Sequence, residues 1–376
     1  MRSPWAVLAC CLRLVAAYET GTVAEISSFS IPASPSGMFF YETQGLLYIL
    51  CGTQTNGDHY LYVYTTGGEQ KCYITIPQSV GMSRVDGFYI KDSTAYIVDS
   101  QGPIYAGNSN FPNALGGSVY AVEWSNPCSC DNAGGATCVE STVQWSPTVT
   151  ATYTLDAAAS DIGDGGGSDD YYRNSGIVVS GDYFYAVNGV HPNPGLTCCY
   201  PKSLIKYSMT DSSVASKWSF TASTIGHDVD MEGITCGADA CASYLYVGDE
   251  YNYIYKLNLA TSDEATAVET QWDLNSIVGN VPDDKGIESL TYASTTGYFY
   301  AGIQETATIH VVQLSNSASD ATTTTVSGEV SGDATTTVSG DTTTVSGDVS
   351  GAPERMTLLP AVFFLPALIL RQGAPA

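Results

Sequence analysis

Three short runs of alternating β-branched and aromatic residues, punctuated by Gly, Asn, Asp and Ser, recur five times in this chain with a period of roughly fifty residues. The first run of each unit opens at Ser36-Gly37-Met38, Asp86-Gly87-Phe88, Ser175-Gly176-Ile177, Glu232-Gly233-Ile234 and Glu288-Ser289-Leu290. A second run follows at Leu47 to Leu50, Ala95 to Asp99, Tyr183 to Asn188, Tyr244 to Glu250 and Tyr298 to Glu305. A third lies at Tyr60 to Tyr64, Ser118 to Trp124, Ser203 to Met209, Tyr253 to Leu259 and Thr308 to Leu314. Such runs suit pleated, half-buried ribbons, and the body sustains no apolar period of about 3.6, so the expected fold is all β.

A fourth, outermost strand reads at Cys72 to Pro77, Ala151 to Asp156, Lys217 to Ala222 and Thr270 to Leu274. The fifth unit ends at Leu314 without one, and Val23 to Ile31 supplies it. A β-propeller closes its ring in this way, one terminus completing a blade begun by the other and covering a sheet edge that would otherwise template aggregation. The expectation is five four-stranded blades, with residues 125 to 170 long enough to hold strands of a sixth.

Outside the expected propeller, residues 18–315, the composition changes. Residues 1–17, with Arg2, an apolar stretch from Trp5 to Leu12 and small residues at Ala16 and Ala17, read as a secretory signal cleaved before Tyr18. Residues 316–355 repeat Thr-Thr-Val-Ser-Gly with Asp or Glu, a tract that forms no packed core and suits an O-glycosylated stalk. In residues 356–376 the apolar stretch Met356 to Leu370 is broken by Pro360 and Pro366 and is short for a spanning helix. Small residues at Ser346-Gly347 or Ser350-Gly351 ahead of it fit a glycolipid-anchor signal, and an uncleaved hydrophobic tail is the alternative. The expected localisation is therefore extracellular and held at the cell surface, with the membrane reached through the lipid anchor or the tail.

Charge narrows the partners. Thirty-eight acidic against thirteen basic residues give a formal charge of −25, which disfavours nucleic acid and anionic surfaces and favours cations. Eleven cysteines, Cys10 and Cys11 in the signal, point to an oxidising compartment and leave an odd number in the mature chain, taken as a monomer. Cys236 and Cys241 flank a turn and form an easy cross-hairpin bridge. Cys72, Cys128, Cys130 and Cys138 share one face and pair among themselves, whereas Cys51, Cys198 and Cys199 lie on the other. Cys51 and Cys72 are not expected to bond. The Cys128-x-Cys130 spacing lacks the second matched pair that a zinc site needs.

In a propeller the innermost strands line the central channel, and their starts share a face with the loops joining second and third strands. The starts carry Ser36, Asp86, Ser175, Glu232 and Glu288. The loops add Asp99, Asn188, His191, Asp249, Glu250 and Glu305, and the connections into the blades add Asp161, Asp164, Asp169, Asp170, His227, Asp228, Asp230, Asp283 and Asp284. Carboxylates gathered this way raise one another's pKa unless a hard, oxygen-preferring cation neutralises them, so Ca²⁺ is the expected cofactor with the five strand starts as its ligands. The competing reading is an ordinary solvated acidic rim. The Gly-rich Asp161 to Asp170 segment matches no EF-hand spacing.

Those five strand starts resemble the ring of serines and glutamates of soluble calcium-activated nucleotidases, with Asp86 a departure from Glu. Asp230-Met231-Glu232-Gly233-Ile234-Thr235 and Gly286-Ile287-Glu288-Ser289-Leu290-Thr291-Tyr292 resemble the Glu-Gly-Ile/Leu-Thr signature of phytase-like propellers. The resemblance implies a propeller with Ca²⁺ in its channel, and covers mainly the fourth and fifth units. Against phosphoryl chemistry stands the scarcity of cations on this face, which has Arg84, Arg173, Lys202 and Lys285. Two functions follow: an extracellular binding module for a small molecule or other ligand, or a Ca²⁺-dependent hydrolase of phosphate esters, nucleotides or lactones. In the second, Asp99 or Glu250 would activate water and His227 or His191 would carry the proton.

Overall fold

The computed structural model describes residues 18–51, 58–77, 82, 85–99, 118–125, 142–145, 147–155, 171–191, 202–220, 225–227, 229–261, 267–279, 281–282, 285–316, 338–339 and 342–343. Two units are distinguished, residues 1–318 and 319–376. In the second, the described residues form one short hairpin, Val338–Ser339 with Thr342–Thr343. The leader, nearly all of the stalk and the apolar tail lie outside the described residues. Among the described residues, no helix is long and apolar enough to cross a membrane.

The first unit is a five-bladed β-propeller. Two strands, β1 (Glu19–Thr20) and β2 (Thr22–Ser30), precede the blades. Blade one is β3 (Pro35–Tyr41), β4 (Leu46–Cys51), β5 (His59–Thr65) and β6 (Gln70–Ile76). Blade two opens with β7 (Val85–Lys91), β8 (Thr94–Asp99) and β9 (Ser118–Glu123); after an intervening β10 (Thr142–Gln144) it ends with β11 (Val149–Thr154). Blade three is β12 (Tyr171–Ser180), β13 (Tyr183–His191), β14 (Lys202–Ser208) and β15 (Val214–Phe220). Blade four is β16 (Met231–Cys236), β17 (Tyr244–Asp249), β18 (Tyr253–Asn258) and β19 (Val268–Asp273). Blade five is β20 (Ile287–Ala293), β21 (Tyr298–Ile303) and β22 (Thr308–Ser315), completed by β2.

The closure inferred from the missing fifth outer strand is present: β2 runs antiparallel to β22 from Thr22↔Ser315 to Ser30↔Thr308. Sequence periodicity missed two edge strands, because two or three residues carry no alternation to detect. β1 lies parallel to β19 on blade four, and β10 lies parallel to β6 on blade one. The segment 125 to 170 thus contributes β10 to blade one and β11 to blade two, and the blade count is five, not six.

The core consists of five clusters, one between each pair of neighbouring blades. Along β4, Tyr48 and Leu50 pack towards Val85 and Phe88 of blade two, while the alternate Leu47 and Ile49 pack towards Tyr300 and Ile309 of blade five. Burial of both faces explains why the second strands read as continuous apolar runs rather than as alternating ones. β20 of blade five packs beside β3 of blade one, so the ring is shut.

The inner strands sit closely enough to constrain their sequence. A Cβ at Gly87 would lie 2.3 Å from the Ser175 carbonyl oxygen, and one at Gly176 would lie 2.4 Å from that of Glu232. This is why the residue after each channel position is Gly37, Gly87, Gly176 or Gly233, with Ser289 replacing it only in blade five. Thr235 and Thr291, each three residues after an inner-strand glutamate, also join blades: the Tyr292 N–H donates to Thr235 Oγ1 and the Phe40 N–H to Thr291 Oγ1, each at 3.1 Å.

Two disulfide expectations hold. Cys236 and Cys241 are bonded, with Cα atoms 4.7 Å apart. Cys72 is also in a disulfide, whereas Cys51 is free and buried, so the two are not joined. Cys128, Cys130, Cys138, Cys198 and Cys199 lie outside the described residues.

Candidate functional site at the channel mouth

Each blade breaks its ladder at the same place. The register between first and second strands shifts at Pro35/Gly37, Val85/Gly87, Asn174/Ile177, Met231/Gly233 and Ile287/Ser289. The residues within these bulges are Ser36, Asp86, Ser175 with Gly176, Glu232 and Glu288, which include the five strand starts singled out from sequence. A bulge inserts a residue without a ladder partner and re-aims its side chain, so its fivefold recurrence is a built feature of the inner ring. All five are buried, between 1% and 6% exposed.

The bulges do not treat the five alike. Ser36, Glu232 and Glu288 line the channel, together with the inner glycines, around about 190 Å³ of empty space that includes the open mouth. Ser36 Oγ donates to the Leu50 or Val85 carbonyl, both 3.2 Å away, and Ser175 Oγ donates to the Met231 carbonyl at 3.3 Å. Through the Val85 and Met231 contacts the serines reach the next blade, leaving their lone pairs as the available function.

Antiparallel pairing sets the ends of second strands beside the bulges: Asp99 opposes Val85, and Asp249 opposes Met231. Glu250, next in the chain, is buried, and burial holds its carboxyl far above the usual range, reinforced by the Glu232 and Glu288 carboxylates beside it. Burial and mutual charge favour a proton retained within this carboxylate cluster, where Glu250 and Glu288 are hydrogen-bonded and Glu288 Oε2 also accepts from Gln304 Nε2 at 3.2 Å. Asp249 is fully buried and pushed up to about 8, first by burial and then by Asp230, against the lowering effect of Tyr255 and two backbone N–H groups.

Sequence reasoning missed His59. It opens β5, is fully buried, and its Nε2 lies 3.2 Å from the Met82 carbonyl oxygen. Burial lowers its pKa, opposed by that carbonyl and then by Asp99, Asp86 and Asp58. A lone histidine in a Tyr-rich run gave no signal; only the packing of blade one on blade two brings it near Asp86 and Asp99.

Among the described residues, no three His, Cys, Asp or Glu side chains form a group that holds a metal ion as they stand. The donor chemistry fits a hard cation, but the side chains do not form a coordination shell. Asp161, Asp164, Asp169, Asp170, Asp228, Asp283, Asp284 and Arg84 lie outside the described residues, as do the side chains of Arg173, Asn188, His191 and Lys202.

Fold and site define a class: a five-bladed propeller with a narrow, carboxylate-lined channel. No family model matches the chain, and no curated protein does. Among solved structures it is similar to Myxococcus xanthus glutaminyl cyclase, with 10% identity, 80% of this chain and 99% of that one covered, and a TM-score of 0.47. It is also similar to Chaetomium thermophilum Raptor, with 9% identity, 78% and 29% covered and a TM-score of 0.38. The C-terminal WD40 domain of Sif2 matches with 6% identity, 78% and 99% covered and a TM-score of 0.32. At such distances the likeness carries no chemistry.

Proposed function

We propose that the protein is an extracellular, surface-held binding propeller whose channel mouth takes up Ca²⁺. The observation that supports this reading is the bulge that recurs at the start of every inner strand, at Ser36, Asp86, Ser175, Glu232 and Glu288, two hydroxyls and three carboxylates. Buried carboxylates repel one another, and a hard cation relieves this with oxygen donors alone. The resemblance to calcium-activated nucleotidases supports the same donor set. Binding requires the carboxylate side chains to turn towards the axis, since they do not converge as they stand. When bound, Ca²⁺ supplies a fixed charge at the mouth that orients an anionic or oxygen-rich ligand.

A second reading, Ca²⁺-dependent hydrolysis of phosphate esters, nucleotides or lactones, is favoured by one feature: Glu250, Glu232 and Glu288 are buried together, which favours a proton held among them as acid–base chemistry requires, an acid role in place of the water-activating one expected of Glu250. Titration calorimetry and thermal unfolding with Ca²⁺ test the common element. At free Ca²⁺ 100 times the Kd, linkage gives about 2.7 kcal/mol of stabilisation. The double variant Glu232→Gln/Glu288→Gln removes most of it, and Glu329→Gln in the stalk removes none. Absence of Ca²⁺ binding, or unchanged affinity in the double variant, refutes the cation. If binding holds, turnover in a panel of phosphate esters, nucleotides and lactones selects the hydrolase, and silence across the panel selects the binding module.

A further inference from the structure

A chain of three titratable side chains runs through blade four beside the channel. Tyr255 Oη lies 2.6 Å from Asp249 Oδ2 and 3.1 Å from His227 Nε2. Asp249 Oδ1 accepts the Tyr251 and Tyr253 N–H groups at 3.0 and 2.9 Å. The imidazole is partly exposed and stacks on Tyr253 with centroids 4.2 Å apart, and Gln271 Nε2 lies 3.3 Å from its Nε2. One end is therefore a buried carboxyl and the other a base within reach of solvent.

Tyr255 has one hydroxyl proton and two neighbours for it. If His227 is doubly protonated, its Nε2–H donates to Tyr255 and Tyr255 donates to an ionised Asp249. If Asp249 carries the proton instead, it donates to Tyr255 and Tyr255 donates to a neutral His227. The two arrangements contain the same protons and differ by two short hydrogen shifts. When one proton leaves for solvent through the imidazole, the buried Asp249 carboxylate remains with no balancing charge.

The turn that follows Asp249 joins several parts of the fold. Glu250 N–H donates to the Asp230 carbonyl, the Glu250 carbonyl accepts from Gly286 ahead of β20, and the Asn252 carbonyl accepts from Leu274. Tyr18, at the start of the N-terminal strap, donates to the Ile225 carbonyl at 2.7 Å, beside His227 in sequence. We propose that Asp249, Tyr255 and His227 form a proton-operated latch that ties the 249–252 turn to blade five and to the N-terminal strap, closed while the cluster holds its shared proton and loosened when that proton leaves.

The facing groups set the sense of the switch. Asp230 at the approach to β16 adds negative charge to Asp249, as does the same carboxylate to Glu250. Tyr18 from the strap, Tyr251 and Tyr253 from blade four and Asp273 at the end of β19 complete the described titratable surroundings; Asp228 lies outside the described residues. Because the folded Asp249 carboxyl is raised to about 8 from an ordinary 3.8, its stabilising contribution is complete below the ordinary carboxylate range and is lost as pH rises through about 8. The latch is shut in acid, loosens progressively as pH rises towards 8 and is fully loosened above it.

Hydrogen exchange of the full mature chain at pH 6 to 9.5, with chelator present and rates corrected for intrinsic pH dependence, tests this without any cation. Protection of residues 249–253 and 18–21 falls by up to about tenfold per pH unit from pH 6 towards 8 and levels off above about 8, while β7 and β8 stay unchanged. Asp249→Asn makes protection independent of pH. Should that variant fail to fold, Tyr255→Phe separates the carboxyl from the imidazole and moves the midpoint by about one pH unit or more. Flat protection in the wild type, a wild-type response in Asp249→Asn, or an unmoved midpoint in Tyr255→Phe overturns the proposal.

Discussion

Replacing Gly87 by Ala tests whether a closed five-membered ring of inner strands governs this sequence. The added methyl would stand 2.3 Å from the Ser175 carbonyl oxygen and 2.9 Å from Val98 Cγ2, where ordinary contact begins at 3.4 Å. The nearest obstacle is backbone, so no rotamer relieves it, and blade three must move by roughly 1 Å. Because blade five already packs on blade one, that movement is passed round the ring. Overpacking of this kind costs about 3 kcal/mol, at the upper end of the usual range. The loss of unfolded-state freedom on going from Gly to Ala returns about 0.7 kcal/mol. The net is about 2 kcal/mol of destabilisation, which in a body of this size lowers Tm by about 3 °C.

Gly67→Ala is the internal control. Its Cβ would meet nothing nearer than Thr65 Oγ1 at 3.9 Å, and its φ lies outside the left-handed region. Only the unfolded-state term then acts, and stability rises by about 0.5 kcal/mol. Calorimetric scans of the two variants at one scan rate should therefore shift in opposite directions. A Gly87→Ala protein that melts at or above Gly67→Ala refutes the tight-ring account.

Two further outcomes are expected. Burial raises the Cys51 thiol and leaves it unreactive, so an alkylating reagent labels it only after denaturation; a Cys51 to Cys72 link in non-reduced peptide maps contradicts the strand order of blade one. The anchor signal read from sequence predicts a membrane-associated mature protein lacking residues 356–376, and recovery of native peptides reaching Leu370 rules this out.

Much of the ring was legible because its constraints are local. Alternation, punctuating turns and the fifty-residue period gave the blades, and the absence of a fourth strand after Leu314 identified β2 as the closing strand. The five bulged positions were legible for the same reason: a residue held by a bulge at the start of every inner strand recurs at a fixed place in the repeat. What the repeat does not encode is which partners meet across it. Glu250 was one carboxylate among many until blade five placed Glu288 against it, and His59 was an ordinary strand residue until blade two packed over it. The link from Asp249 through Tyr255 to His227 joins residues from three segments with no common spacing. The sequence by itself determined the repeat and the chemical character of the channel mouth, since strand pairing and bulges follow from neighbours along the chain. Only the tertiary structure decided which carboxylates share protons and which serines join adjacent blades, because burial and mutual charge depend on distances that exist only once the ring has closed.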